Sequence, residues 1–266
     1  MPERGFLVIN PRSGEGAGAE VAEEAKRRGI ATHLLEPGDD VQALAREADA
    51  DALGAGGGDG TLGAVAAVAI ERGLPFFVVP VGTRNHFARD LGLDPDDPVS
   101  ALDALEGTER PVDVGRAGDR LFLNNVSIGL YAGLVREREA HHHRRRGFLV
   151  ALKALLRSLR HRPTHITIDG RPVRGRLFLA SNNYYELKPF ALGRRERLDE
   201  GRLHLYIAQG LVPVNWEASS GESFAIGSRS RKLRAAFDGE PGDLEPPLDL
   251  RIEPQALRVL LPPEPS

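Results

Sequence analysis

The residues with the clearest chemical potential lie in one short stretch, Gly56-Gly57-Gly58-Asp59-Gly60-Thr61. It follows the small-residue run Ala52–Ala55 and precedes the apolar run Leu62–Ile70. Glycines lack a Cβ, so such a loop can adopt positive φ and let another molecule approach its backbone. A helix beginning near Thr61 would present unpartnered N–H groups and the positive end of its dipole to that loop. Phosphate oxygens suit such a place. Asp59 is the odd member, because a carboxylate beside phosphate is repulsive unless a cation lies between them. A ligand-free turn is the competing reading of the stretch taken alone.

Two further polar loops follow short apolar runs. Phe6–Ile9 leads into Asn10-Pro11-Arg12-Ser13-Gly14, and Phe76–Pro80 leads into Val81-Gly82-Thr83-Arg84-Asn85-His86. A helical stretch to Arg28, a strand at Ala31–Leu35 and a helix capped by Asp39 or Asp40 and running to Ala48 complete the pattern. Strands alternating with helices imply a mostly parallel α/β sheet, in which ligands sit at the carboxyl ends of strands. All three loops would converge there, which points to a nucleotide site.

The texture changes near Gly107–Pro111. Residues 1–111 read as the α/β nucleotide-binding domain and 112–266 as a second domain, an antiparallel β-sandwich. Its expected strands are Arg120–Ser127, His165–Ile168, Arg176–Ala180, Leu203–Ala208, Lys232–Phe237, Leu248–Ile252 and Leu257–Leu261. Asp169-Gly170 is a hairpin turn, and Asp238-Gly239 before Glu240 reads the same way. A helical insertion is expected over 131–160. It is basic, with Arg138, His141-His142-His143-Arg144-Arg145-Arg146, Lys153, Arg157 and Arg160 around Phe148–Leu152. Adjacent histidines on a helix point apart and do not share one metal ion well. An amphipathic basic helix can instead lie on an anionic membrane surface or pack its apolar stripe inward.

Among the 266 residues, 41% are hydrophobic, enough for proper cores, and the net charge of −3 argues against nucleic acid as the main partner. There is no cysteine, which removes disulfides, thiolate nucleophiles and thiolate zinc sites. No signal-peptide pattern opens the chain, and no run approaches the roughly 18 apolar residues of a membrane span. A soluble, cytoplasmic protein without a transmembrane segment is the expectation, and a homodimer is kept open as its assembly.

The segments Asn10–Gly14, Gly57–Thr61, Pro80–Arg89 and Phe237-Asp238-Gly239-Glu240 resemble, in order and spacing, the diacylglycerol kinase catalytic-domain family of bacterial lipid kinases and sphingosine kinase relatives. The Gly-Gly-Asp-Gly-Thr motif is shared with NAD kinases and phosphofructokinases; Gly82-Thr83-Arg84-Asn85-His86-Phe87-Ala88 with a later Asp-Gly-Glu is more specific. The resemblance implies ATP and Mg²⁺ held between an α/β domain and a β-sandwich, and a lipid acceptor met at a membrane surface by peripheral contact, for which the basic insertion is the candidate. It implies nucleotide contacts from Asn10, Ser13, Gly57, Gly58, Gly60, Thr61, Gly82, Thr83 and Asn85. It makes Asp59 the acid that keeps the Mg²⁺–phosphate assembly in place and Glu240 the general base. His86 stands where the family often has Asp, and a neutral imidazole cannot supply the same fixed charge to a metal. Leu198-Asp199-Glu200-Gly201-Arg202-Leu203 resembles a stretch that holds structural Mg²⁺ in some members, with Asp199 as the ligand; His204 departs from that pattern.

A lipid kinase acting on diacylglycerol or a related alcohol is therefore the leading expectation. A soluble NAD kinase is the second, and a degenerate nucleotide- or lipid-binding module the third.

Overall fold

The computed structural model describes residues 2, 4–13, 16–129, 164–185, 187–188, 191–192, 195–209 and 216–263. Gly14 and the insertion expected over 131–160 lie outside them. The chain divides into two units, Met1–Val114 with Pro254–Ser266, and Gly115–Glu253.

The first unit alternates strand and helix: β1 (Gly5–Ile9), α1 (Ala17–Arg27), β2 (Ala31–Leu34), α2 (Val41–Glu47), β3 (Ala52–Gly56), α3 (Asp59–Arg72), β4 (Phe76–Val79) and α4 (His86–Asp90). A 3₁₀ turn at Ser100–Glu106 precedes β5 (Thr108–Ala117). Local chemistry sets the limits of these elements. Asp40 Oδ1 accepts the N–H groups of Gln42 and Ala43, capping α2, while Asp39 pairs with His33 instead. Helix α3 stops at Gly73, whose φ of 63° closes a left-handed C-cap. Gly18 brings α1 against Ile9, where a Cβ would lie 3.2 Å from the Ile9 side chain.

The sheet order is β2-β1-β3-β4, all parallel. The connection after β1 runs to one side and the connection after β2 returns past β1 to the other. Such a reversal is a topological switch point, and it lies at the carboxyl ends of β1 and β3. Leu7, Ile9, Val21, Ala22, Ala25 and Phe77 pack in the core of this unit.

The second unit is antiparallel. Its strands are β6 (Arg120–Phe122), β7 (Asn125–Gly129), β8 (Thr164–Ile168), β9 (Arg171–Gly175), β10 (Leu177–Asn182), the pair β11 (Leu187–Lys188) and β12 (Ala191–Leu192), β13 (Leu203–Ala208), β14 (Trp216–Gly221), β15 (Ser223–Gly227), β16 (Leu233–Phe237), β17 (Glu240–Leu244) and β18 (Leu248–Leu261). One sheet has the order β14-β13-β10-β7-β16-β17; in the other, β15 lies between β8 and the start of β18. Val126, Ile128, Phe178 and Leu205 from the first sheet share a core with Ile166, Phe224 and Leu250 from the second. Alternating inward residues of two antiparallel sheets make a β-sandwich. Asp169 and Gly170, at φ 51° and 76°, form the expected hairpin turn.

Three expectations need correction. Leu248–Ile252 and Leu257–Leu261 are one strand, β18, which continues through Pro254 because Asp113 Oδ1 accepts the N–H of Gln255, itself at φ 51°. The end of that strand pairs in parallel with β4, at Val259 with Phe76 and Leu260 with Phe77, so residues 254–266 group with the first unit rather than with 112–253. Arg120–Ser127 is two strands, interrupted at Leu123–Asn124, whose N–H groups bond to a side chain instead of a neighbouring strand.

Candidate functional site

Three loops meet at the switch point. After β1, Asn10 N–H donates to Gly56 O (2.8 Å), and Asn10 Oδ1 accepts Arg12 N–H (3.0 Å). That Asx turn brings Ser13 round so that its Oγ accepts the N–H of Gly58 (3.2 Å). The loop after β1 is thus tied to the loop after β3 at two points. After β4, Gly82 comes so close that a Cβ there would lie 2.5 Å from Gly57 O and 2.7 Å from Asn85 Oδ1. Asn85 is buried, left-handed at φ 49°, and donates its side-chain amide to Pro80 O (3.0 Å).

The glycine loop differs from expectation in mechanism. None of Gly56, Gly57, Gly58, Gly60 or Gly82 takes positive φ. At Gly56, Gly57 and Gly82 neighbours crowd the backbone: a Cβ on Gly57 would lie 3.2 Å from both Asn10 Cβ and Thr61. Helix α3 starts at Asp59, two residues before the expected start, with Gly58 as an N-cap that supplies no side-chain acceptor. Its first-turn N–H groups therefore lack a side-chain cap, and the helix dipole adds positive potential. Asp59, with a buried Oδ1, sits at this head, where a carboxylate is electrostatically favoured. Thr61 is buried in the same first turn, Thr83 is exposed, and His86 is a half-buried first residue of α4.

The structure therefore brings together Asn10, Ser13, Gly57, Gly58, Asp59, Gly60, Thr61, Gly82 and Asn85 in one unit, with Thr83 on the same loop as Gly82 and Asn85. The set suits a magnesium-bound polyphosphate: backbone N–H groups for phosphate oxygens, hydroxyl and amide side chains at the rim, and one carboxylate for a cation. Mg²⁺ typically takes one or two carboxylates plus substrate phosphates rather than an all-protein cage. Among the described residues, no group of three His, Cys, Asp or Glu residues is placed to hold a metal.

Glu240 belongs to the second unit, as the first residue of β17, paired with Phe237 across the turn Asp238-Gly239. Asp238 and Gly239 are both left-handed, at φ 50° and 88°. The Arg120 guanidinium lies 3.8 Å over the Phe237 ring, and a Cβ on Gly242 would fall 2.5 Å from its Nη1. Burial holds the Arg120 pKa below its usual value against the opposing pull of Glu240 and Asp238. Asp199 is exposed and ion-paired to Arg197 (3.0 Å), while the adjacent Glu200 accepts Tyr184 N–H and pairs with His204 (both 3.1 Å). Those contacts engage both carboxylates of that stretch with protein groups.

Sequence reasoning missed a buried polar cluster beside the Glu240 turn. Asn124, Asn182, Asn183 and Arg195 are each at most 2% exposed. Arg195 donates to Leu123 O (2.8 Å), Asn182 O (3.0 Å) and Asn124 Oδ1 (2.6 Å), and Asn182 Nδ2 donates to Leu123 O (2.9 Å). The doublets Asn124-Asn125 and Asn182-Asn183, each following an apolar strand, are the signal that could have revealed it.

Comparison with known proteins places this geometry among relatives. Residues 4–117 match the diacylglycerol kinase catalytic domain. A "Diacylglycerol kinase" of Bacillus subtilis is 30% identical over 192 residues, covering 66% of this chain and 63% of the relative. A "Probable lipid kinase YegS-like" protein of Pseudomonas aeruginosa (strain PAO1) is 39% identical over 132 residues, 47% of this chain and 43% of the relative. The aligned part thus spans less than half the length of such YegS-like relatives. The crystal structure of a diacylglycerol kinase from Bacillus anthracis superimposes with a TM-score of 0.71 at 20% identity, covering 98% of this chain and 97% of that one, which shows a shared fold.

Proposed function

We propose that this chain, whose residues 4–117 match the diacylglycerol kinase catalytic domain, is an ATP-dependent lipid kinase phosphorylating the hydroxyl of diacylglycerol or a related lipid. The observation that carries this reading is the tie between the loops after β1 and β3, Ser13 Oγ to Gly58 N–H, at the head of a helix without a side-chain cap. Phosphoryl transfer demands positioning and charge neutralisation above all. Gly57, Gly58 and Gly60 offer backbone N–H groups to the phosphates, with Asn10, Ser13, Thr61, Thr83 and Asn85 around them.

Mg²⁺ bound with the nucleotide would neutralise phosphate charge, and Asp59 is the carboxylate that would hold it. Glu240 acts as general base: it takes the proton from the lipid hydroxyl as that oxygen bonds to the γ-phosphorus. The phosphorus–oxygen bond to ADP breaks in the same transfer. An acceptor that resides in a bilayer makes the protein a peripheral visitor to membranes. No helix among the described residues is long and apolar enough to cross one, and the basic insertion nominated for membrane contact lies outside those residues.

Purified protein, labelled ATP, Mg²⁺ and mixed micelles of diacylglycerol provide the test, with other lipid alcohols and NAD in parallel and Glu240→Gln beside the parent. Label should enter organic-extractable lipid and fall about a hundredfold in the variant. Label in NADP would replace this reading with a soluble NAD kinase. ATP binding without transfer to any acceptor would replace it with a non-catalytic module.

A further inference from the structure

We propose that Asp238 is a positioning residue for the phosphoryl transfer, fixing through the backbone of Leu123–Asn125 the turn that presents Glu240; this rests on the reading of Glu240 as the base.

A two-residue turn with both residues left-handed accepts Asn-Gly and Asp-Gly alike, so the turn alone does not demand a carboxylate. The side chain of Asp238 does more than turn the chain. Its Oδ2 accepts Leu123 N–H (2.7 Å), and its Oδ1 accepts the N–H groups of Asn124 (2.7 Å) and Asn125 (2.9 Å). Its own N–H returns to Asn125 O (2.8 Å). Three donors on two oxygens require a carboxylate; the amide of Asn would set an NH₂ donor against a backbone N–H. Bonds this short to an ionised acceptor are the charge-assisted kind.

This clamp holds a turn that would otherwise be loosely held. Among the described residues β17 ends its sheet, with β16 as its neighbour, so there Glu240 begins an edge strand. Asp238 fastens its turn to the start of β7, and Arg195 also grips that segment, through Leu123 O and Asn124 Oδ1. The charged groups acting on Asp238 are Arg195 and Arg120 from β6, which also feels Glu240, two residues further along the chain. Burial pushes the Asp238 pKa up to about 6, against the three N–H bonds and Arg195, which pull it down. Protonation would weaken the acceptors that hold Leu123–Asn125, so the clamp loosens just below neutral pH.

The experiment follows the amide NMR signals of Leu123, Asn124 and Asn125 from pH 5 to 8 in the full chain. The micelle assay is run over the same range for the parent, Asp238→Asn and Glu240→Gln. The three amides should titrate with a common midpoint near 6, and kcat of the parent should fall on the acid side with that midpoint. Asp238→Asn should lower kcat by about ten- to a hundredfold, as misplacement of a reacting group by about 1 Å does, leave KM for ATP within about twofold, and remove the limb with that midpoint. Amides that do not titrate, a parent profile with no matching limb, or a folded Asp238→Asn protein with unchanged kcat would each overturn the proposal. The first two need no variant and stand even if Asp238→Asn fails to fold. Full activity in Glu240→Gln would instead remove the base assignment, while the amide titration would still report on the clamp.

Discussion

Replacing Gly82 with alanine isolates the contact between the loops after β3 and β4. Gly82 does not have positive φ, so alanine is conformationally acceptable there, and the entropic effect alone would stabilise by about 0.4–1 kcal/mol. Sterics oppose it. The new methyl would sit 2.5 Å from Gly57 O and 2.7 Å from Asn85 Oδ1, well inside the 3.5–4.0 Å at which non-bonded heavy atoms attract. The first neighbour is backbone and the second belongs to a side chain fixed by its bond to Pro80 O, so the two loops must part by more than half an ångström. Overpacking of this kind costs roughly 1–3 kcal/mol, and displacement of the phosphate-binding backbone should weaken ATP binding by about tenfold or more. Gly63→Ala serves as the control: it lies inside α3 with nothing within 4 Å of its Cβ and should stabilise by up to about 1 kcal/mol. Thermal unfolding should show Gly82→Ala falling by on the order of 5 °C and Gly63→Ala rising, with ATP titration calorimetry separating the two further. A Gly82→Ala protein with parental Tm and ATP affinity would refute the idea that backbone approach shapes this site.

Two more outcomes test local energetics. Asp40→Ala removes both cap bonds of α2 and should destabilise by about 1 kcal/mol in urea unfolding. For Asp238, the folded pKa near 6 exceeds the ordinary aspartate value, so between about pH 4 and 6 the native state holds a proton the unfolded chain has released, and stability falls as pH rises. Relative to Asp238→Asn, the parent should therefore lose on the order of 2 kcal/mol between pH 4 and 7; a flat or rising difference in urea-derived stability would contradict it.

What could be read in the sequence was what local chemistry controls. The run Ala52–Gly56 followed by glycines announced a buried strand and a close-approach loop, the aspartates at 39 and 40 announced a helix start, and Asp169-Gly170 announced a hairpin. The convergence of Asn10, Ser13, Gly58 and Gly82 was legible because parallel α/β order itself brings strand ends together. Long-range contacts were not legible. The break at Leu123–Asn124 is made by a carboxylate more than a hundred residues later in sequence, and the continuity of β18 through Pro254 depends on Asp113. Strands β9 and β17 carry prolines near their starts, Pro172 and Pro241, and little alternation, so they are absent from the expected strands. The reason for the loop glycines was also hidden, because crowding and left-handed φ leave the same letter.

The parallel pairing of β4 with Val259 and Leu260 has a consequence for biosynthesis. Phe76, Phe77, Val78 and Val79 are made early, yet their neighbour on one side is encoded beyond the entire second unit. Until that segment emerges from the ribosome, β4 presents an apolar row of unsatisfied backbone groups, the kind of edge that recruits other chains. A nascent or truncated chain ending near Glu253 would accordingly be prone to aggregate, and chaperone engagement should persist until β18 has been translated.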